Sequence, residues 1–406
     1  MSHKLAVIWL AGGLAVAQPT SAQTVLTLDR AVDLAMSQHP DVAVARAREA
    51  EARGLLTTAQ AHFASNPELE LFAGPRLQPS LVTFDAEVSV LQRFELAGQR
   101  NFRIAIATAG IDARQAEIEA AQLDARANAT AAFFRALHAE RLRVLAEQAA
   151  SLAGDMIAAT ETRYQAGDIA LLDVNVARIE KARAERDRLA VNGLVERAQG
   201  ELREVLALPA AEALVIQGDW PASADLRLDQ LVSALASRPE GRALTAAVSQ
   251  AQSDWRLAQA GRRPDLLAGA GFKREGGDSV VGARVGITLP FFQHNTGAVA
   301  SAAARIQLAE TERDADARIS ATRFHSLYAE YAAARDAAAV LTAQGLPSLE
   351  DNEQLAAESY RAGKISFVDL LVIRREAFAT RRDALDAQLA LALAATELRR
   401  ATAFRQ

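Results

Sequence analysis

The chain is 406 residues long, half of them apolar but only 5% aromatic, with a formal net charge of −5 and no cysteine. The acidic balance excludes nucleic acid as the main partner, and the missing cysteine excludes disulfide stapling and an N-terminal cysteine lipid anchor. The apolar share is mainly Ala, Leu and Val, which suits long helices in close packing.

Residues 1–22 read as an export signal. Lys4, with His3, precedes an apolar run from Leu5 to Ala17, and Thr20-Ser21-Ala22 offers small residues for cleavage before Gln23. The run is too short to span a bilayer, and no later stretch reaches the roughly 18 apolar residues of a membrane helix.

The remainder is written twice, as repeats over 23–225 and 226–406. Leu26-Thr27-Leu28-Asp29 is echoed by Leu226-Arg227-Leu228-Asp229, and Asn66-Pro67-Glu68-Leu69 by Arg263-Pro264-Asp265-Leu266. Tyr164-Gln165-Ala166-Gly167-Asp168-Ile169, followed by Asp173, recurs as Tyr360-Arg361-Ala362-Gly363-Lys364-Ile365, followed by Asp369. In the first repeat, alternation of Phe84, Ala86, Val88 and Val90 with Asp85, Glu87 and Ser89 predicts a strand over 82–95, paired with one over 67–77. A helical hairpin follows over 98–207, its first arm carrying Phe134, Leu137, Leu145, Leu152 and Met156 near one stripe. The second repeat predicts strands over 264–275 and 280–292, where Val281, Ala283, Val285 and Ile287 alternate with Gly282, Arg284 and Gly286. Its helical hairpin runs over 297–404, with a kink or restart at Pro347. The helices far exceed the usual length of about a dozen residues and read as coiled coil.

One alternating strand in isolation would fit a small soluble sheet with one buried face. Here there are four, about ten residues long, in an exported chain, with Phe94, Phe272, Phe291 and Phe292 near their ends, as in outer-membrane barrel strands. Four strands cannot close a barrel, and an open edge in lipid leaves backbone groups unpaired. If these strands enter a membrane, several chains must pool them.

Four patches carry a family resemblance: Leu26 to Val32 with His39-Pro40; the twin Tyr-x-Ala-Gly…Asp segments; Arg93-Phe94-Glu95-Leu96-Ala97-Gly98-Gln99-Arg100; and Leu289-Pro290-Phe291-Phe292-Gln293-His294-Asn295-Thr296-Gly297. In this order they make the chain resemble the TolC-like outer-membrane efflux proteins over its whole mature length. The last two look most like the branch serving heavy-metal resistance–nodulation–division pumps of the cobalt–zinc–cadmium type. The resemblance implies a mainly α fold with a small β part: long antiparallel helical hairpins plus two β-hairpins, trimerising into a twelve-strand barrel and a helical periplasmic tunnel. It implies an outer-membrane location with a periplasmic extension, in contact with lipid. It also implies a homotrimer, a periplasmic adaptor and an inner-membrane pump of that class. The function would be passive export, of heavy-metal cations or, alternatively, of drugs and organic solutes. A non-pore coiled-coil scaffold or adaptor is a rival, but an adaptor would show one hairpin beside a lipoyl-like β domain.

Gly167 and Gly363 end long helices, where glycine commonly adopts the left-handed conformation. By resemblance, they and Tyr164 and Tyr360 belong to tip turns that dock the adaptor. Asp173 reads as a solvated first-turn residue favoured by the helix dipole, with a place at the tunnel constriction as its second reading. By resemblance, Asp369 lines that constriction at the closed tip. Val372 stands where drug-type relatives carry a second aspartate, which implies an apolar ring beside the acidic one. His39, His62, His138, His294 and His325 are scattered, no two at ligand spacing on one helix, so no metal site is expected. Gly269-Ala270-Gly271 lies in a strand rather than at a helix start, so no nucleotide or other cofactor site is expected. No catalytic constellation stands out, and the chain reads as a conduit.

Overall fold

The computed structural model describes residues 24–79, 81–221 and 226–404; the export signal expected at 1–22 lies outside them. In chain order the first half forms β1 (Thr24–Leu26), α1 (Leu28–Gln38), α2 (Pro40–Ala59), β2 (Glu68–Gln78), β3 (Leu81–Phe94), α3 (Gln99–Gln165) and α4 (Leu171–Val205). The second half repeats the order with β4 (Leu214–Ile216), α5 (Leu228–Leu235), α6 (Pro239–Ala260), β5 (Leu266–Glu275), β6 (Asp278–Ile287), α7 (Thr296–Val340), α8 (Leu346–Arg361) and α9 (Phe367–Thr402). A π-helical turn, Leu341–Gly345, joins α7 to α8.

The duplicated leucine motif explains itself in this frame. Leu26 and Leu226 are both buried, each at the base of one of two hydrophobic clusters. Thr27 caps α1, its hydroxyl accepting from the Arg30 N–H at 3.4 Å, and Asp29 and Asp229 occupy the first turns of α1 and α5. The first cluster joins Leu26, Ala31 and Ala35 to Phe133, Phe134 and Leu137 of α3 and to Val195, Ala198 and Leu202 of α4. The second joins Leu226 and Leu231 to Phe324 and Tyr331 of α7 and Leu398 of α9. Alanines 125, 129, 132, 136 and 139 of α3 are all buried, so neighbouring helices approach closely and few rings are needed.

With 67 residues, α3 extends for about 100 Å and packs against α4, α2, α6 and α9. β2, β3, β5 and β6 form one antiparallel sheet in that order, and β1 pairs parallel with β4. The sheet therefore mixes strands from both halves, with β2 and β6 as open edges.

Several expected boundaries move. The first hairpin occupies 68–78 and 81–94 instead of 67–77 and 82–95, because pairing runs up to Gln78↔Leu81 and leaves only Pro79 and Ser80 between the strands. β5 starts two residues after Pro264. β6 stops at Ile287 and not at 292, since Pro290 has no N–H for a ladder and Phe291 N–H turns back to the Leu289 carbonyl. The second hairpin's ascending arm is not one helix: the ladder widens into the π-helical turn, and Pro347 then sits in the first turn of α8, where its missing N–H costs nothing. α2 and α6 went unpredicted. His39-Pro40 and Arg238-Pro239 were their start signals, each proline standing at the first helical position.

Candidate functional site

The sheet has two unlike faces. Register places Leu69, Leu71, Ala73 and Leu77 of β2 beside Val90, Val88, Ala86 and Val82 of β3, and continues the same face through Phe272, Ala270 and Ala268 to Val281, Ala283 and Val285. The two central rows, Leu69 to Ala283 and Leu71 to Val281, are apolar from edge to edge, and Gln92 and Arg274 lie on this face in the flanking rows; yet Leu71 is 73% exposed and Val285 72%. Phe291 and Phe292 are also exposed, just beyond the end of β6.

The opposite face carries Glu70, Arg76, Asp85, Glu87, Ser89, Lys273, Glu275 and Arg284. All but one of these charge pairs cross strands, Lys273 and Glu275 both lying on β5. Arg76 donates to Asp85 at 2.9 Å and also to Glu275, while Lys273 reaches Glu275 at 3.0 Å. Arg284 of β6 donates to Glu70 of β2 at 3.0 Å, to Ser89 of β3 at 3.3 Å, and to Glu87. Between them lies β5, where Gly269 and Gly271 carry no side chain on this face. A Cβ at Gly269 would fall 2.1 Å from the Val90 carbonyl oxygen, so the strands there approach too closely for any other residue.

At the far end of the helices, the two Tyr-x-Ala-Gly segments form the same turn. Asp168 N–H bonds the Arg163 carbonyl at 2.9 Å and Gly167 N–H the Tyr164 carbonyl at 3.0 Å. Lys364 N–H bonds Ser359 and Gly363 N–H bonds Tyr360 at the same two distances. Both are Schellman motifs, with Gly167 at φ 81° and Gly363 at φ 69°. The two turns are tied together, since Arg163 Nη1 donates to the Tyr360 hydroxyl at 2.8 Å. Tyr360 also lies 6.3 Å from Phe367, ring centre to ring centre. Tyr164 is exposed.

The helices leaving these turns begin differently. α4 starts at Ala170, which offers no side-chain cap, with Asp173 in the first turn. α9 starts with a capping box: Ser366 Oγ accepts from the Asp369 N–H at 3.1 Å, and Asp369 Oδ2 accepts from the Ser366 N–H at 3.0 Å and the Ser366 hydroxyl at 2.7 Å. The Ser366 hydroxyl first, then its backbone N–H, hold the Asp369 carboxyl below the usual aspartate range. Val368, Asp369 and Val372 lie along one exposed stripe of α9, whereas Leu370 and Leu371 face inward. The structure thus brings Tyr360, Gly363, Asp369 and Val372 to one end of the molecule with Tyr164, Gly167 and Asp173.

Sequence reasoning missed Arg163, Ser366 and the span of Arg284. Ser366 was findable, because Ser-x-x-Asp ahead of an apolar run is a start signal. The other two depend on tertiary placement. Of the predicted stripe on α3, Phe134 and Leu137 are core. Leu145, Leu152 and Met156 instead line an open groove of about 1020 Å³ shared with α4 and α9. Among the described residues, no three His, Cys, Asp or Glu side chains are placed to hold a metal ion, and no helix is long and apolar enough to cross a membrane.

Comparison with known proteins gives this architecture a context. The sequence profile of the Outer membrane efflux protein family matches residues 31–208 and again 231–403. The cobalt-zinc-cadmium resistance protein CzcC of Cupriavidus metallidurans is 29% identical over 397 residues, spanning 93% of this chain and 92% of that protein. Among solved structures, CusC superposes with a TM-score of 0.76 at 19% identity, covering 92% of this chain and 91% of the other. The outer membrane protein VceC from Vibrio cholerae gives 0.75 at 18% identity, covering 92% and 95%. At these identities the two structures speak for the fold.

Proposed function

The chain belongs to the outer membrane efflux protein family, and we propose that it is the outer-membrane duct of a three-part export assembly for heavy-metal cations. The observation that carries the duct is the two-faced sheet. An exposed face with an apolar central band, backed by a charged face, is stable when the first meets lipid and the second meets water. Four strands leave both edges open. A homotrimer pairs β6 of each protomer with β2 of the next, closes a twelve-strand barrel, and continues through the α3–α4 and α7–α9 hairpins as a periplasmic tunnel.

In this reading residues 1–22 are removed on export, the repeats 23–225 and 226–406 are the two structural halves of the protomer, and the tips project toward the inner membrane. The turns at Tyr164–Gly167 and Tyr360–Gly363 meet a periplasmic adaptor. Beyond it, a resistance–nodulation–division pump supplies the energy. Asp369 and Val372, with Asp173, surround the tunnel at the tip, and outward movement of the inner helices opens it. The metal cargo is supported by the likeness to a cobalt-zinc-cadmium resistance protein along nearly the whole chain.

The test is growth of a strain lacking the chain across zinc, cobalt, cadmium, copper, silver and lipophilic drugs. Sensitivity confined to zinc, cobalt or cadmium, restored by the wild-type gene, supports the proposal. Sensitivity mainly to drugs keeps the duct and removes the metal cargo.

A further inference from the structure

Arg284 reaches from one edge strand of the sheet to the other, and its surroundings are built for that reach. Its register partner is Gly269, followed on the same face by Gly271, so β5 puts no side chain in its path. It meets Glu87 and Ser89 on β3 and Glu70 on β2, and Ser89 is buried beneath the arrangement. One guanidinium here answers two carboxylates. The pairs nearer the strand turns are balanced, since Arg76 and Lys273 face Asp85 and Glu275.

We propose that Arg284 sets the ionic selectivity of the barrel section, by holding Glu70 and Glu87 and leaving one net negative charge in that cluster of each protomer. The inference rests on the trimeric-duct reading, which turns the charged face toward the lumen. Three-fold symmetry then makes a ring of three such clusters, and a fixed negative ring raises the local cation concentration and lowers that of anions. The arginine moderates this field, keeping the ring weakly cation-selective. It also holds the two carboxylates against the wall, leaving the centre of the lumen clear.

The experiment is the reversal potential of full-length trimers in planar lipid bilayers under a KCl gradient, at low ionic strength so that screening does not hide the fixed charge. Wild type is expected to favour potassium weakly. Arg284→Ala should shift the reversal potential further toward the potassium equilibrium value, because two carboxylates per protomer are then unmasked. Glu70→Gln combined with Glu87→Gln should shift it the opposite way, away from potassium preference, and Arg284→Lys should stay near wild type. An unchanged potential in Arg284→Ala channels that insert with ordinary conductance overturns the proposal. If Arg284→Ala fails to assemble as a trimer, the double glutamine variant decides, and an unchanged potential there overturns it equally. Wild-type protein that forms no channels would instead remove the duct reading itself.

Discussion

The Arg163 guanidinium donates to the Tyr360 hydroxyl at 2.8 Å while lying 5.5 Å from the centre of its ring, so a side chain at the end of α3 grips one at the end of α8. In repeat register the two positions are one residue apart, and the contact is a direct polar tie between the two tip turns. An exposed cation–π contact contributes about 0.5–1 kcal/mol, and the hydrogen bond adds a similar amount. Such a tie is strong enough to bias the two turns toward one arrangement and weak enough to be broken and remade.

Tyr360→Phe keeps the ring against Phe367 and removes the hydroxyl. In the proposed trimeric duct, the expected outcome is a tip that opens more readily: higher basal conductance in planar bilayers, and cells more permeable to a large antibiotic normally excluded by the outer membrane. Conductance indistinguishable from wild type would show that the tie does not restrain the tip.

The glycine at the second turn separates folding from size. Gly363 has open space where a Cβ would stand, but its backbone sits at φ 69°, so the objection to a side chain is conformational. A left-handed residue other than glycine costs roughly 1–2 kcal/mol, less for asparagine. Gly363→Asn should keep the wild-type midpoint in denaturant and Gly363→Val should lower it, as followed by circular dichroism. Equal loss in both would show that left-handed strain is not what sets the cost.

The capping box at α9 gives a pH dependence with a definite sign. Because the Ser366 hydrogen bonds lower the Asp369 carboxyl, the stabilisation is complete above the ordinary aspartate value of about 3.9 and is lost only as pH falls through the lower folded value. Hydrogen exchange over the start of α9 should therefore be slower in wild type than in Asp369→Asn at neutral pH, and the difference should persist to about pH 4 and vanish below it. A difference that disappears between pH 7 and 5 would contradict the cap.

Phe133 tests the larger hydrophobic cluster. It is buried against Phe134 at a ring distance of 5.7 Å, and the Gly218 backbone approaches its ring so closely that a Cβ there would lie 3.3 Å away. Phe133→Ala should destabilise the protomer by about 3–5 kcal/mol, seen as a lower midpoint in denaturant with the secondary structure at zero denaturant unchanged.

Much of this architecture was legible because it is local and periodic. Alternation around Val88 and Val285 marked the strands, and the stripe through Phe134 and Leu137 marked α3. The short helices α2 and α6 were harder, since their stripes are mostly alanine and give little contrast between faces. At the candidate site the turns were visible in the repeated Tyr-x-Ala-Gly pattern, and Asp369 in its spacing from Gly363. Its capping bond to Ser366 was within reach of the sequence. The partnership of Arg284 with Glu70 was not: 214 residues separate them, and only the curl of the sheet over Gly269 brings them together.

The twin Schellman turns hold their shape through main-chain hydrogen bonds and a glycine, and most of their other side chains are left facing water. Gln165 and Asp168 stand in the first turn where Arg361 and Lys364 stand in the second, on the same backbone. The side chains at the tips are therefore free to drift. In the proposed assembly, a lineage can re-address such a protein to a different partner by exchanging a few exposed residues, without renegotiating the fold that carries them.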